Sequence, residues 1–488
     1  MKTLFKSVAL ITTFSIITRA LGLLLKIYIS REISAEALGT YQIAISAFGL
    51  FLVFLSSGLP LIISKKTSSS PKSTGSVVYA GFLISTFACL LICIFVAFFP
   101  NIFDTIFGQK ESTITLMFLL PAVVGTAIYV AFRGAFWGQK DFFTLGLIEF
   151  IEQVIRIVIC LILFNISLPI SGQNIVALSL SVACICSSIV GIIIYYKKGN
   201  RIDRKLTSFK PLIKESLPIT FVRTISNVVA FGVSLIVPLF LIRSGTPKNV
   251  AISEFGIATG MVMPLITIAG TIIGSISTAL IPEISNINNN RSDYQIKSAI
   301  SASMLICTII TPIFIAFGNE IGLFLYNSKE AGKMLVYSSA MIIPLGLSQI
   351  TTSVLNGTGK EKVSMIIYLL SSIFLFASII LLPKYIGIYS LIVGLNLSAI
   401  FTLIINLIYI RKSLNKELFK TILLSLLSMI IPTIIGRLTY NIISIYFTLF
   451  FSLLFSIIIT LLTLIMMLMV LGLIKRENLN LRHKFLKT

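Results

Sequence analysis

Fourteen stretches of about twenty mostly apolar residues, parted by short polar or basic connectors, decide what solvent this chain folds in. They are 8–29, 41–63, 76–99, 113–133, 144–165, 174–196, 216–242, 252–281, 296–317, 334–355, 364–382, 386–410, 419–440 and 446–474. A helix of about 20 residues crosses the hydrocarbon core of a bilayer. Composition agrees: 56% of the 488 residues are hydrophobic and 11% are charged, where a soluble domain carries about 25% charged. A chain with mean hydropathy +1.02 cannot cover its surface for water. The expected fold is an all-α polytopic membrane protein with about 14 transmembrane helices. Several spans carry internal proline (Pro121, Pro238, Pro264, Pro312, Pro344 and Pro432), where neighbouring helices or water must satisfy the freed carbonyls.

The net charge of +22 would point to nucleic acid in a soluble protein. Here the connectors explain most of it. With the N-terminus in the cytoplasm, 26 of the 39 Lys and Arg residues fall on the cytoplasmic side and 8 on the other. That bias is a positive-inside signal with both termini cytoplasmic, and no nucleic-acid partner is expected. After Lys2 and Lys6 the first apolar stretch runs to about Ile29. It is long enough to span and no small-x-small cleavage site follows, so it is expected to stay as a span.

The longest basic connector, Lys197–Lys214, separates spans 6 and 7. The expected division is a six-helix lobe over 1–200, a second six-helix lobe over 201–415, and two extra helices with a basic tail over 416–488. The lobes look related. Gly39-Thr40-Tyr41-Gln42-Ile43-Ala44 and Ser253-Glu254-Phe255-Gly256-Ile257-Ala258 stand before spans 2 and 8, and Arg31 and Arg243 close the spans before them. Spans 4 and 10 both contain proline and end in Gly-Lys turns, Trp137-Gly138-Gln139-Lys140 and Thr358-Gly359-Lys360. Six spans per repeat make the repeats parallel, and transporters built so hold substrate between their halves.

An ionisable group inside a span faces a cavity or a partner by default. Span 1 carries Arg19 and Lys26, seven residues apart and so on one helix face. Neither has an acidic partner in its own span, and a cationic cavity for an anionic substrate is the reading they favour. Span 5 carries Glu149, Glu152, Gln153 and Arg156. Spacings of three and four put Glu149, Glu152 and Arg156 on one stripe. Two readings stay open for them: Glu152 and Arg156 neutralise each other while Glu149 pairs with Arg133 or an amide, or the carboxylates form a gate or an ion-coupling site. Arg223 sits near the cytoplasmic end of span 7.

Other chemistries lack their residues. There is no Walker GxxxxGK[ST] sequence, and Asn356-Gly357-Thr358-Gly359-Lys360 lacks the strand and glycine spacing of a phosphate loop. No potassium-filter sequence and no cluster of an intramembrane hydrolase occurs, and no soluble stretch is long enough to hold an enzyme. The six cysteines (Cys89, Cys93, Cys160, Cys184, Cys186 and Cys307) lie in apolar runs, and the single histidine, His483, lies in the basic tail. No metal site and no cofactor is expected.

Four sets of segments stand in register along the chain. The first is Gly39-Thr40-Tyr41-Gln42 with Leu55-Ser56-Ser57-Gly58-Leu59-Pro60 and Ile63-Ser64-Lys65. The second is Arg133-Gly134-Ala135-Phe136-Trp137-Gly138 with Glu149, Glu152, Gln153 and Arg156. The third joins Lys214-Glu215-Ser216-Leu217-Pro218-Ile219, Phe255-Gly256-Ile257-Ala258-Thr259-Gly260-Met261 and Leu280-Ile281-Pro282-Glu283-Ile284-Ser285. The last is Ser353-Val354-Leu355-Asn356-Gly357-Thr358-Gly359-Lys360. Together they resemble the stage V sporulation protein B family, polysaccharide-type flippases of the multidrug/oligosaccharidyl-lipid/polysaccharide exporter superfamily, to which MurJ-type lipid II flippases also belong.

The resemblance implies two pseudo-symmetric six-helix lobes around a central cationic cavity, plus two C-terminal helices. It implies alternating access and an undecaprenyl-diphosphate-linked saccharide as cargo, a peptidoglycan precursor that can serve the spore cortex. Arg19 and Lys26 match cationic positions of the family pattern, with Arg223 assisting from the second lobe. Of the two readings of span 5, the one that suits a transporter makes Arg133, Glu149, Glu152 and Arg156 the gate or coupling group. Expected partners are the lipid-linked cargo, membrane lipids and cell-wall synthases, in the bacterial plasma membrane. A cation-coupled multidrug antiporter and a non-transporting cell-wall scaffold are the alternatives.

Overall fold

The computed structural model describes residues 2–70, 74–166, 168–204, 209–285, 289–411 and 416–473. The basic tail after 474, with His483, lies outside the described residues. The chain forms two compact units, Met1–Gly256 and Ile257–Thr488, and both are helical.

The first unit comprises α1 (Lys2–Glu32), α2 (Ala35–Ser56), α3 (Leu59–Ser69), α4 (Thr74–Phe98), α5 (Pro100–Phe107), α6 (Lys110–Gly138), α7 (Phe142–Asn165), α8 (Gly172–Lys197), α9 (Phe209–Arg243) and α10 (Lys248–Gly256). The second begins with a π-helical turn, Ile257–Val262, that runs straight into α11 (Met263–Ser285). It continues through α12 (Asn289–Tyr326), α13 (Lys329–Ser338), a 3-10 turn (Ser339–Met341), α14 (Ile342–Gly357), α15 (Glu361–Leu381), α16 (Pro383–Ile386) and α17 (Tyr389–Ile410). It ends with α18 (Lys416–Ser428), α19 (Ile430–Ile443) and α20 (Leu449–Val470).

Twelve described helical segments are long and apolar enough to cross a membrane, so the chain is a multi-pass membrane protein. The other two expected spans, 8–29 and 144–165, coincide with α1 and α7, the helices that carry the ionisable residues. The expected spans at 252–281, 334–355 and 419–440 are not continuous α-helices. Each breaks one to three residues before a proline: Pro264 follows the π turn, Pro344 the 3-10 turn, and Pro432 the gap between α18 and α19. A proline has no N–H to offer the turn before it, but fits the first turn of a fresh helix. Pro121, Pro238 and Pro312 instead lie inside α6, α9 and α12.

With no hydrophobic gradient between lipid tails and leucine, packing and hydroxyl hydrogen bonds must hold helices together. The first unit shows both. Ser85 donates to the Ala127 carbonyl at 2.7 Å, Ser181 to Phe118 at 2.6 Å and Ser188 to Gly125 at 2.6 Å. These bonds tie α4 and α8 to α6. Tyr195 is fully buried, edge-on to Phe132 and Phe136 at 5.1 and 6.0 Å between centroids. The six-span division at residue 200 and the compact-unit boundary at 256 describe different things. The latter puts α9 with the first six spans because α9 packs on α2, α3 and α4. At its crossing with α3, a Cβ at Gly58 would lie 2.3 Å from the Ser216 carbonyl oxygen.

In the second unit the C-terminal helices lie against α12. Arg437 on α19 donates to Glu320 on α12 at 2.7 Å and to the Ala316 carbonyl at 3.0 Å. Gly436 fits against Thr460 and Phe317. Asn406 is fully buried on α17 and donates to Thr351 and Thr352 at 3.1 and 2.9 Å.

Candidate functional site

Several ionisable residues of the first unit stand on α7 and the helices beside it. Asp141 starts α7: its carboxylate accepts from the Thr144 amide at 3.4 Å and from the Lys198 ammonium. Partial burial opposes ionisation, yet the hydrogen bonds from Lys198 and Thr144 hold this carboxyl below the usual carboxylate range. The sign follows from linkage. A depressed folded value stabilises fully above the unfolded carboxylate value of about 3.9, and that stability is lost as pH falls through the lower folded value. Asp141→Ala is expected to cost about 1 kcal/mol at pH 7 by loss of the cap. The gap to the parent narrows toward pH 3, as thermal unfolding in detergent at the two pH values would show.

From that start α7 places Glu149, Glu152 and Arg156 in sequence. Glu149 accepts from Arg133 on α6 at 2.8 Å, one of the two partners that the sequence left open to it. Arg133 also lies over the Trp137 ring at 5.4 Å. Both charged groups are more than a third exposed, so the pair contributes little to stability. Glu152 and Arg156 do not form the mutual ion pair that their spacing allows. Glu152 accepts from Ser187 on α8 at 3.0 Å, and Arg156 donates to the Tyr41 hydroxyl on α2 at 3.0 Å. Both side chains lean sideways to a neighbouring helix, so α7 is fastened to α8 and α2 by polar contacts.

Arg19 and Lys26 are exposed on α1, the helix that packs along α7. Neither makes a hydrogen bond or ion pair with a described residue. Lys26 instead feels the like charge of Arg156. Between them Gly22 makes room for Gln153, whose Nε2 is buried without a partner. The Thr18 hydroxyl and the Arg156 Nε are buried and unpartnered as well. This face therefore offers positive charge and donors with no carboxylate bound to them, while the two nearby carboxylates are engaged elsewhere. Arg223 donates to the Ser57 carbonyl at 3.1 Å. It belongs to the first compact unit, not to the second.

Sequence reasoning missed Tyr41, Ser187 and Thr18. Tyr41 stood in the Gly-Thr-Tyr-Gln segment, but nothing along the chain ties it to Arg156, 115 residues away. Among the described residues no group of three or more His, Cys, Asp and Glu side chains comes together as a metal site would require.

The sequence profile of the family described as "Polysaccharide biosynthesis protein" matches residues 4–288. Stage V sporulation protein B of Bacillus subtilis (strain 168) is 27% identical over 352 residues, 68% of each chain. Among solved structures, the lipid II flippase MurJ in an inward closed conformation superposes with TM-score 0.71 at 16% identity, covering 94% of this chain and 98% of that one. An inward-facing multidrug resistance MATE family transporter of the MOP superfamily gives 0.68 at 14% identity, covering 83% and 95%. The likeness to these structures is one of fold. With more than half of its length matched to the profile, the chain belongs to the polysaccharide biosynthesis protein family.

Proposed function

We propose that this protein is a flippase, a transporter and not an enzyme. It moves an undecaprenyl-diphosphate-linked saccharide, a peptidoglycan precursor, from the inner to the outer leaflet of a bacterial plasma membrane by alternating access. Both termini lie in the cytoplasm, as the loop charges require. The observation that carries the reading is the pair of cations on one face of α1, Arg19 and Lys26, without a partner among the described residues, with Arg156 near Lys26. A cationic face of this kind suits a diphosphate. Arg223 assists from α9, and Arg133, Glu149, Glu152 and Arg156 form the gate.

The energetics are favourable without ATP. A diphosphate carries about two negative charges, and a negative interior drives each outward by roughly 2.3 kcal/mol per 100 mV. The protein then has to lower the cost of bringing the headgroup through hydrocarbon, while the polyprenyl tail remains in lipid.

The deciding experiment is reconstitution into vesicles that carry a fluorescent polyprenyl-diphosphate disaccharide. Protein-dependent appearance of the label in the opposite leaflet, accelerated by an imposed potential, is the expected result. No acceleration, together with proton- or sodium-coupled efflux of a lipophilic cation, would favour the antiporter reading. The carboxylates Glu149 and Glu152 are what support that second reading.

A further inference from the structure

A second cationic feature of the first unit shares no residue with the α1–α7 face. A groove of about 570 Å³ opens among α4, α6, α8 and the connector after α8. Its apolar wall includes Phe82 and Phe132, its rim Tyr79 and Tyr196, and two guanidiniums, Arg201 and Arg204, complete it. The connector that presents them is anchored. Asn200 donates to the Tyr195 carbonyl at 3.3 Å and accepts from Gln139 at 2.8 Å. Its backbone then lies so close to the start of α4 that a Cβ on Gly75 would sit 2.5 Å from the Arg201 carbonyl oxygen and 2.8 Å from the Asp203 nitrogen.

Several basic side chains near the helix ends of this unit have found partners: Lys66 pairs with Glu215, Lys198 with Asp141 and Arg133 with Glu149. Arg201 and Arg204 make no ion pair or hydrogen bond with a described residue. Asp203, the one carboxylate in the connector, is itself engaged. Two unneutralised guanidiniums above an apolar slot, with phenol hydroxyls at the edge, match an amphiphile with an anionic head. Guanidinium forks fit phosphate oxygens in pairs, tyrosines favour the headgroup level, and basic pockets between helices on the cytoplasmic side take lipid headgroups.

We propose that this groove binds the phosphate headgroup of an anionic phospholipid of the leaflet that faces the basic loops. One phosphodiester engages Arg201 and Arg204, and the first carbons of its chains lie along Phe82 and Phe132. The occupant is a resident lipid and not the translocated species, because none of the residues that line the groove belongs to the α1–α7 face.

The test uses the full-length protein in nanodiscs of phosphatidylcholine with a minor share of phosphatidylglycerol, and native mass spectrometry to count the phosphatidylglycerol retained after mild delipidation. R201A/R204A is expected to lower retention at least tenfold at low salt, and R201K/R204K to recover part of it, with unchanged thermal midpoints. Retention within twofold of the parent in R201A/R204A overturns the proposal. Preferential capture of a polyprenyl diphosphate over phosphatidylglycerol by the same two arginines also overturns it. The readout is binding, so it stands apart from the outcome of the vesicle assay.

Discussion

Arg19→Ala is expected to bring translocation of a polyprenyl-diphosphate saccharide down to nearly the protein-free rate while the protein still inserts and folds. Two facts set this pair of outcomes. Arg19 is exposed on α1 with no partner among the described residues, so its removal leaves no buried carboxylate stranded and no helix unfastened. The midpoint of thermal unfolding should therefore not move. The same lack of a partner leaves all five guanidinium donors for the substrate. A hydrogen-bonded contact to a charged group contributes about 1.5–3 kcal/mol, and each 1.4 kcal/mol is tenfold. The loss in rate is thus ~10- to 100-fold. Arg19→Lys, which keeps the charge and loses the fork, should fall between. If Arg19→Ala transports at the parental rate in vesicles, the cationic face is not where the diphosphate binds.

The largest structural effect is expected at the crossing of α2 and α10. A Cβ on Gly39 would lie 2.1 Å from the Ile252 carbonyl oxygen, and one on Gly256 would lie 2.3 Å from the Ala35 oxygen and 2.5 Å from the Gly39 nitrogen. These are backbone atoms, which cannot swing aside as a side-chain tip does. Either substitution must push the helices apart and forfeit the close approach that holds helices together in lipid. Gly39→Val or Gly256→Val should cost about 3 kcal/mol, at the upper end for overpacking. Gly49, ten residues further along α2, has nothing within 4 Å of its would-be Cβ, and Gly49→Val should be near neutral. A thermal-unfolding series in detergent that found Gly39→Val and Gly49→Val alike would show that the crossing is not tight.

What could be read along the chain, and what could not, divides by distance. Twelve membrane spans were legible because each is a local run whose length the bilayer dictates, and Glu149 found Arg133 because the two stand on consecutive helices. Breaks in the middle of spans were only half legible. Pro264, Pro344 and Pro432 marked the places, but proline also sits quietly inside α6, α9 and α12, so sequence could not say which would interrupt. The short helix α5, Pro100–Phe107, is too short to register as a span. Glu152 and Arg156 show the other limit. Local spacing favoured a bond between them, and distant partners, Ser187 and Tyr41, took both. Which compact unit claims Arg223 depended on the packing of α9 against helices more than 100 residues earlier in the chain.

The π-helical turn at Ile257–Val262 changes how the eighth expected span should be drawn on a helical wheel. A π turn closes its hydrogen bonds one residue later than an α turn, so it stores a surplus residue. One residue corresponds to roughly 100° of rotation in an α-helix. A wheel drawn in pure α register through Ile257–Val262 therefore misplaces the residues of α11 after Met263 by about that angle, although no residue is looped out. A surplus of this kind can migrate along a helix by exchanging one bond at a time. Each such exchange turns the intervening residues through that angle while every carbonyl keeps a donor, which lets a membrane helix rotate part of its length without baring its backbone to lipid.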